Sequence, residues 1–423
     1  MRILFATPYL PQTEVSLAEV KDGRISLSGS QVSILLVADD LASRGHTVGF
    51  WILGGQRVVD SSVICYPSID SALRESWDRI VMASWGDSQL SEILLKSGQH
   101  PLLWTQVHVS RGDLSQLEMG ELSGIITVSD IARLPLLHSD HASQTAHIYN
   151  PINPFFLNKP STDASRYSSK VAVFCGYLGE TKGAHLVLAT WPYVRKLLPD
   201  ARLVMIGSAR LYKEGVVTGP LGLADPQFEA KYLQPILAEF GSLNNAGIEL
   251  TGLSTPYDIR CRYSHSALGL INFNWHSFTE TFCCVGAEML ATELPVFSFA
   301  AGSLPETMGR TGGAVLCARP ELELGAQMIV GLLKDPQKLA VLGSRGHAFV
   351  NREYSLNSVT AKWEKVLISV YSDLDYCSGD WHGPKSIRYY IERSIHRMKL
   401  GPIYKYILDI CRQLVTSVSK VAK

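Results

Sequence analysis

Neither sign of charge prevails in this chain: 39 Lys and Arg stand against 39 Asp and Glu among 423 residues. That balance excludes a polybasic nucleic-acid binder. No window reaches the roughly 18–20 uncharged apolar residues of a membrane span. The opening Met1-Arg2-Ile3-Leu4-Phe5-Ala6-Thr7-Pro8 is too short in its apolar core for a signal peptide. The eight cysteines include no Cys-x-x-Cys pair and no His/Cys cluster at zinc spacing. No metal site is therefore expected, and a reduced, cytoplasmic protein is. Also missing are a G-x-G-x-x-G after a strand, a G-x-x-x-x-G-K-[ST], an H-E-x-x-H and a G-x-S-x-G. Nicotinamide chemistry, P-loop hydrolysis and serine hydrolysis thus lose their most specific sequence support.

What is present is core. Hydrophobic residues make up 46% and charged residues 18%, ample for two buried cores. Apolar runs at 3–6, 47–53, 79–82, 102–104 and 124–128 read as strands of a parallel sheet, and residues 31–44 read as a helix stopped by Gly45. Asn150-Pro151-Ile152-Asn153-Pro154 and the polar stretch to Lys170 interrupt the pattern as a linker. A second series follows, with strands at 171–175, 202–206, 249–251, 268–272, 295–299 and 314–317 and a helix at 184–198. The expected organisation is α/β: two doubly wound Rossmann-like domains, 1–155 and 156–355, facing a cleft. A closing helix within 356–375 and a tail, 376–423, complete it.

Charge is unevenly spread along this plan. Residues 1–155 hold 10 basic and 16 acidic side chains (−6), residues 156–375 hold 20 of each (0), and residues 376–423 hold 9 and 3 (+6). Within the tail, Ile387, Tyr390, Ile391, Ile395 and Met398 share a helical face opposed by Arg388, Arg393, Arg397 and Lys399. Residues 385–423 suit either an anionic membrane surface or packing on the protein with a solvated basic face.

The densest group of chemistry-bearing residues is Phe278-Thr279-Glu280-Thr281-Phe282-Cys283-Cys284-Val285-Gly286-Ala287-Glu288. Two carboxylates stand eight positions apart, the first on a loop after a strand and the second inside an apolar helix starting near Cys283. The unpaired amides of such a helix start suit a diphosphate. Glu288, about two turns in, suits ribose hydroxyls.

This segment resembles the E-x7-E motif of retaining glycosyltransferases with the GT-B fold, the family-4-like group also described as glycosyl transferases group 1. Val173-Phe174-Cys175-Gly176-Tyr177-Leu178-Gly179-Glu180-Thr181-Lys182-Gly183 resembles the family's G-R-L-x-x-x-K-G element. Leu203 to Gly207, Met289 to Glu306, Ser28-Gly29-Ser30-Gln31 and Arg44 to Val48 resemble further pieces of it, in the same order. The resemblance implies a GT-B fold and a nucleotide-sugar donor, with UDP-sugar favoured and no cofactor or metal.

Carried over residue by residue, it implies that Glu280 and His108 contact the donor sugar as catalytic groups. Backbone amides of Thr281, Phe282 and Cys283 would hold the diphosphate, Lys182 would neutralise it, and Glu288 would bind the ribose. Gly29 and Ser30 would border the phosphates, and Gly176, Tyr177 and Gly207 would line the same site. Tyr177 stands where the family usually has Arg, which removes a cation; Arg260 and Arg262 are candidate replacements. The acceptor would be a glycan, glycolipid or other molecule on the first domain, beside loops such as residues 12–27. Cell-surface polysaccharide or glycoconjugate synthesis would be the setting, at the inner membrane face if the tail attaches there. A sugar-nucleotide epimerase or phosphorylase of the same fold, and a non-catalytic relative that binds a glycan or partner, remain open beside this reading.

Overall fold

The computed structural model describes residues 1–369 apart from 9, 11, 84–87, 108–121, 139–143, 159–163, 212–214 and 277–279. His108, Phe278, Thr279 and the tail 376–423 lie outside the described residues.

The first domain is built on a seven-stranded parallel sheet. Its strands are β1 (Arg2–Thr7), β3 (Thr47–Ile52), β5 (Ile64–Tyr66), β6 (Arg79–Ala83), β7 (Leu102–Thr105), β8 (Gly124–Thr127) and β9 (Thr145–His147), in the order β5-β3-β1-β6-β7-β8-β9. Two short strands, β2 (Glu14–Ser16) and β4 (Arg57–Val59), pair beside it. The second domain carries a six-stranded parallel sheet: β10 (Val171–Cys175), β11 (Arg202–Ile206), β12 (Ile248–Gly252), β13 (Leu268–Leu270), β14 (Val296–Phe299) and β15 (Ala314–Cys317). Their order is β12-β11-β10-β13-β14-β15.

Both sheets thus run outward from a central first strand and reverse at β1/β6 and β10/β13, the doubly wound arrangement. Continuous apolar runs make these strands because both sheet faces are covered. Along β1, Ile3, Leu4, Phe5 and Ala6 are each 0% exposed.

The expected strands are present. Two short ones, β5 and β9, and the helices Leu322–Leu333 and Pro336–Glu353 are added to the sequence reading.

The segment expected as a linker is held rather than loose. Asn153 caps the short helix Pro154–Leu157, and its side-chain amide donates to Val20 O at 2.8 Å. Ile152 N–H donates to Tyr354 O at 2.8 Å. The closing helix, Leu356–Ile368, returns to the first domain. Trp363 packs on Trp104 with ring centroids 4.5 Å apart, and Glu364 accepts from Arg44 at 2.9 Å. One apolar core runs from β1 and the helix Gly29–Ser43 through Tyr149, Phe282 and Tyr354, so it continues across the domain boundary.

Candidate functional site

Parallel α/β sheets present ligand sites beyond the carboxyl ends of their strands, at the point where the strand order reverses. In the second domain that point lies between β10 and β13. Two loops leave there: residues 176–183 after β10, and residues 271–276 after β13. The first departs through glycine. Gly176 has φ 145° and Gly207, after β11, has φ 138°; a Cβ on Gly207 would sit 1.8 Å from Gly176 O. The two strand ends therefore turn away backbone against backbone, which no larger residue permits.

Lys182 and Glu280 meet over this point, Nζ to carboxylate at 3.0 Å. The Glu280 carboxylate also accepts from the Asn272 side-chain amide at 2.7 Å and from Cys283 N–H at 2.9 Å. Burial pushes its pKa up, but the Lys182 charge and these hydrogen bonds outweigh that and hold it below the usual carboxylate range. From behind, Ser303 N–H donates to Glu280 O at 3.0 Å. Gly302, with φ 52°, backs against it so closely that a Cβ would lie 2.8 Å from the same oxygen.

The helix expected near Cys283 is Cys284–Ala291. Cys283 caps it in the left-handed region, φ 68° and ψ 67°, without a side-chain cap bond. Its N–H is donated to Glu280, so this amide, expected to hold a diphosphate, is already engaged. Thr281 anchors the loop to the first domain, its hydroxyl donating to Gln106 O at 2.9 Å. Phe282 is buried against Tyr354 and Tyr149, with centroids at 5.0 and 5.9 Å; its side chain belongs to the interdomain core. Glu288 is half-buried, and its carboxylate has no hydrogen-bond partner among the described residues. Burial pushes it up to about 8. The two carboxylates of the motif are thus driven to opposite protonation preferences, one ionised and one holding its proton near neutrality.

From the first domain, the helix Gly29–Ser43 points its N-terminus at the same place. Ser28 caps it, and Gln31 closes the reciprocal box with its side-chain oxygen 3.0 Å from Ser28 N. Gly29 meets Cys284: a Cβ on Gly29 would lie 2.7 Å from the Cys284 Sγ. Two helix N-termini, one from each domain, therefore converge, and both carry positive partial charge. Ser30 is half-buried beside Ser28, hydroxyl to hydroxyl at 3.1 Å.

Tyr177 is half-buried and folds over its own loop, where a Cβ on Gly179 would lie 2.1 Å from its ring. The candidate replacement cations are engaged elsewhere. Arg260 donates to Phe155 O at 2.6 Å and stacks on the Phe155 ring at 3.6 Å, and Arg262 pairs with Glu249 at 2.7 Å. Neither supplies the missing charge beside Lys182. Within residues 12–27, expected to shape an acceptor face, the end of the segment contacts the second domain. Gly23 O accepts from Tyr257 N–H at 3.0 Å, and Ser26 donates to Ser254 O at 3.1 Å.

Several side chains that organise the site escaped the sequence reading. Asn272 and Asn274 follow β13. Gln106 and Asn150 form a reciprocal buried amide pair at 2.7 and 3.0 Å. Glu306 reaches across the domains to accept from Asp130 N–H, Ile131 N–H and the Tyr149 hydroxyl, each at 2.8 Å. Burial and the nearby Asp130 charge raise Glu306 to about 7 against the pull of those donors. For Gln106, Asn272 and Asn274 the available signal was a polar residue placed just after an apolar strand run, at the carboxyl ends where sites form. Among the described residues, no group of three or more His, Cys, Asp or Glu is arranged to hold a metal ion. No helix there is long and apolar enough to cross a membrane.

This geometry has relatives. Residues 160–349 match the family model of the glycosyl transferases group 1. The span covers nearly all of the second domain, including both loops at the β10/β13 reversal and the whole Glu280–Glu288 segment.

Solved structures extend the likeness to both domains. Anabaena HepE in complex with UDP-glucose superposes with a TM-score of 0.61 at 17% identity, covering 87% of this chain and 99% of that one. A glycosyltransferase from Rickettsia africae gives 0.63 at 16%, covering 88% and 98%. Sucrose-phosphate synthase from Thermosynechococcus elongatus gives 0.61 at 15%, covering 86% and 98%. The fold is therefore that of the GT-B glycosyltransferases. Comparison with curated protein sequences gave no significant match.

Proposed function

We propose that this chain is a retaining, metal-independent glycosyltransferase. It moves a hexose-type sugar from a nucleotide-diphosphate sugar to a glycan, glycolipid or other acceptor on the first domain. The observation that carries the reading is the Lys182–Glu280 pair at the β10/β13 reversal, faced by two converging helix N-termini. A cation and helix amides suit a departing diphosphate; a fixed anion beside them suits the positive charge that develops on the sugar. The matched family model supports transfer, and the UDP-glucose complex of HepE supports a UDP-sugar.

In the transfer, the bond from sugar C1 to the β-phosphate oxygen breaks, with Lys182 stabilising the nucleoside diphosphate that leaves. The acceptor hydroxyl oxygen bonds C1 on the same face and gives its proton to the leaving phosphate oxygen. Retention rests on the E-x7-E resemblance. NMR of the product from a screen of UDP-, GDP- and ADP-sugars with simple acceptors tests it. The expected product keeps the donor's anomeric configuration, and Glu280→Gln abolishes turnover. An inverted product, or full activity in Glu280→Gln, contradicts the mechanism.

The setting would be cell-surface polysaccharide or glycoconjugate synthesis, with the basic residues of 385–423 attaching the protein to an anionic membrane surface. Co-sedimentation with phosphatidylglycerol vesicles should be lost when 385–423 are deleted; equal binding with and without them refutes the attachment.

A further inference from the structure

The site described above has a frame that none of its expected residues supplies. Asn272 and Asn274 lie two apart in the loop that leaves β13, both buried, at 7% and 9% exposure. Their side chains diverge. Asn272 donates to the Glu280 carboxylate at 2.7 Å, and its own side-chain oxygen accepts from Asn274 N–H at 3.2 Å. Asn274 donates to Glu180 O at 2.9 Å and Thr181 O at 3.3 Å, the two residues before Lys182. Its side-chain oxygen accepts from His276 N–H at 3.1 Å. The Lys182–Glu280 contact closes the circuit, so one three-residue segment holds the acid with one amide and the cation-bearing loop with the other.

The backbone is shaped for this. Asn272 sits at φ 20°, a conformation that turns the chain out of the strand and that asparagine tolerates better than most residues. Its carbonyl is fixed by the Ser298 hydroxyl at 2.9 Å. Gly183 presses so closely on the segment that a Cβ would lie 2.3 Å from Asn274 N. An amide is the fitting side chain at both places: it donates to a carboxylate or a carbonyl and accepts from the next N–H with no charge of its own. Buried donors with satisfied partners hold direction as well as distance, and a functional group held this way needs no reorganisation when its ligand arrives.

We propose that Asn272 and Asn274 are paired positioning residues of the transfer reaction, Asn272 aiming the Glu280 carboxylate at the donor sugar and Asn274 setting the loop that carries Lys182 against the diphosphate. The inference rests on the nucleotide-sugar reading above.

Its test separates the two roles. Two measurements are made on the full chain: UDP affinity by calorimetry, and turnover of UDP-glucose to UDP and glucose, with water taking the acceptor's place. Melting temperature serves as the control for folding. Asn272→Ala and Asn272→Ser are expected to lower kcat about 10- to 100-fold, the size seen when a supporting hydrogen bond is removed from a functional group, with UDP affinity kept. Asn274→Ser is expected to weaken UDP binding about 10-fold by a comparable loss, and Asn274→Gln to weaken it as well, because the longer amide overshoots the 180–181 carbonyls.

If wild-type protein binds UDP while folded Asn272 variants keep full turnover, or if kcat and UDP affinity fall in step in every variant, the pairing is wrong. Wild-type protein that binds no UDP and turns over no UDP-glucose instead refutes the underlying reading, and the inference falls with it. Should one Asn272 variant fail to fold, the other carries the test.

Discussion

Lys182 and Glu280, 98 residues apart in sequence, meet at 3.0 Å over the reversal point of the second sheet. Two loops from neighbouring strands bring them together, and the pair joins the cation-bearing loop to the acidic one. Glu280→Gln leaves an amide N–H facing the donors of Asn272 and Lys182. This variant is expected to lose about 1–3 kcal/mol of stability, the cost of an unsatisfied buried polar group. Chemical denaturation checks it; unchanged stability would show that the pair bears little strain on the fold.

Cys283 offers a test in which two common substitutions exchange rank. Alanine ordinarily outranks glycine for stability. At φ 68°, a Cβ costs roughly 1–2 kcal/mol, so Cys283→Gly is expected to be the more stable of the two by about 1 kcal/mol. Paired thermal melts of Cys283→Gly and Cys283→Ala decide it. Alanine ranking above glycine would mean that the capping conformation is not strained.

Gly29 and Cys284 meet across the domain boundary. Gly29→Ala places a methyl 2.7 Å from the Cys284 sulfur, and the domains must part or the side chain must move. Overpacking of this kind costs about 1–3 kcal/mol, which is expected to weaken donor binding roughly 10-fold. Cys284→Gly in the same chain should restore it. A double-mutant cycle measured by UDP titration would show additive effects if the two residues did not meet.

Glu288 makes a pH prediction whose sign can be worked out. Its pKa is raised from 4.5 to about 8 in the folded chain by burial. Between those values the folded state binds more protons than the unfolded state, so this group's contribution to stability is full below about 4.5 and is lost as pH rises through about 8. Glu288→Gln, which cannot ionise, should therefore gain on wild type as pH rises. Melting temperatures of both proteins at pH 5 and pH 9 read the difference; a gap that does not grow toward pH 9 contradicts the burial of this carboxylate.

Much of the architecture was legible because parallel strands covered on both faces are written as apolar runs. Runs such as Val171–Cys175 and Arg202–Ile206 are found at the expected positions. The short strands β5 and β9 carried too few residues to stand out from loop. The candidates Gly29, Lys182 and Glu280 could be singled out because the segments that carry them resemble family motifs, and Glu280 also because it stands in the densest group of chemistry-bearing residues. The side chains that connect them were not. Asn272, Asn274, Gln106, Asn150 and Glu306 act through partners reached only when the loops fold together. Asparagine and glutamine in a loop carry no period, and a single glutamate after a proline reads as solvated. The same limit explains Arg260 and Arg262: as sequence they were free cations, and in the fold their partners are Phe155 and Glu249.

Titration of the full chain with UDP, GDP and ADP by calorimetry, on wild type and Lys182→Ala, tests the central claim most directly. The expected result is saturable binding of one nucleoside diphosphate, UDP foremost. That binding should weaken about 10- to 100-fold in Lys182→Ala, as for the loss of one charge-assisted hydrogen bond. Absence of binding to all three, or equal affinity in the variant, would contradict a nucleotide-sugar site built on Lys182 and Glu280.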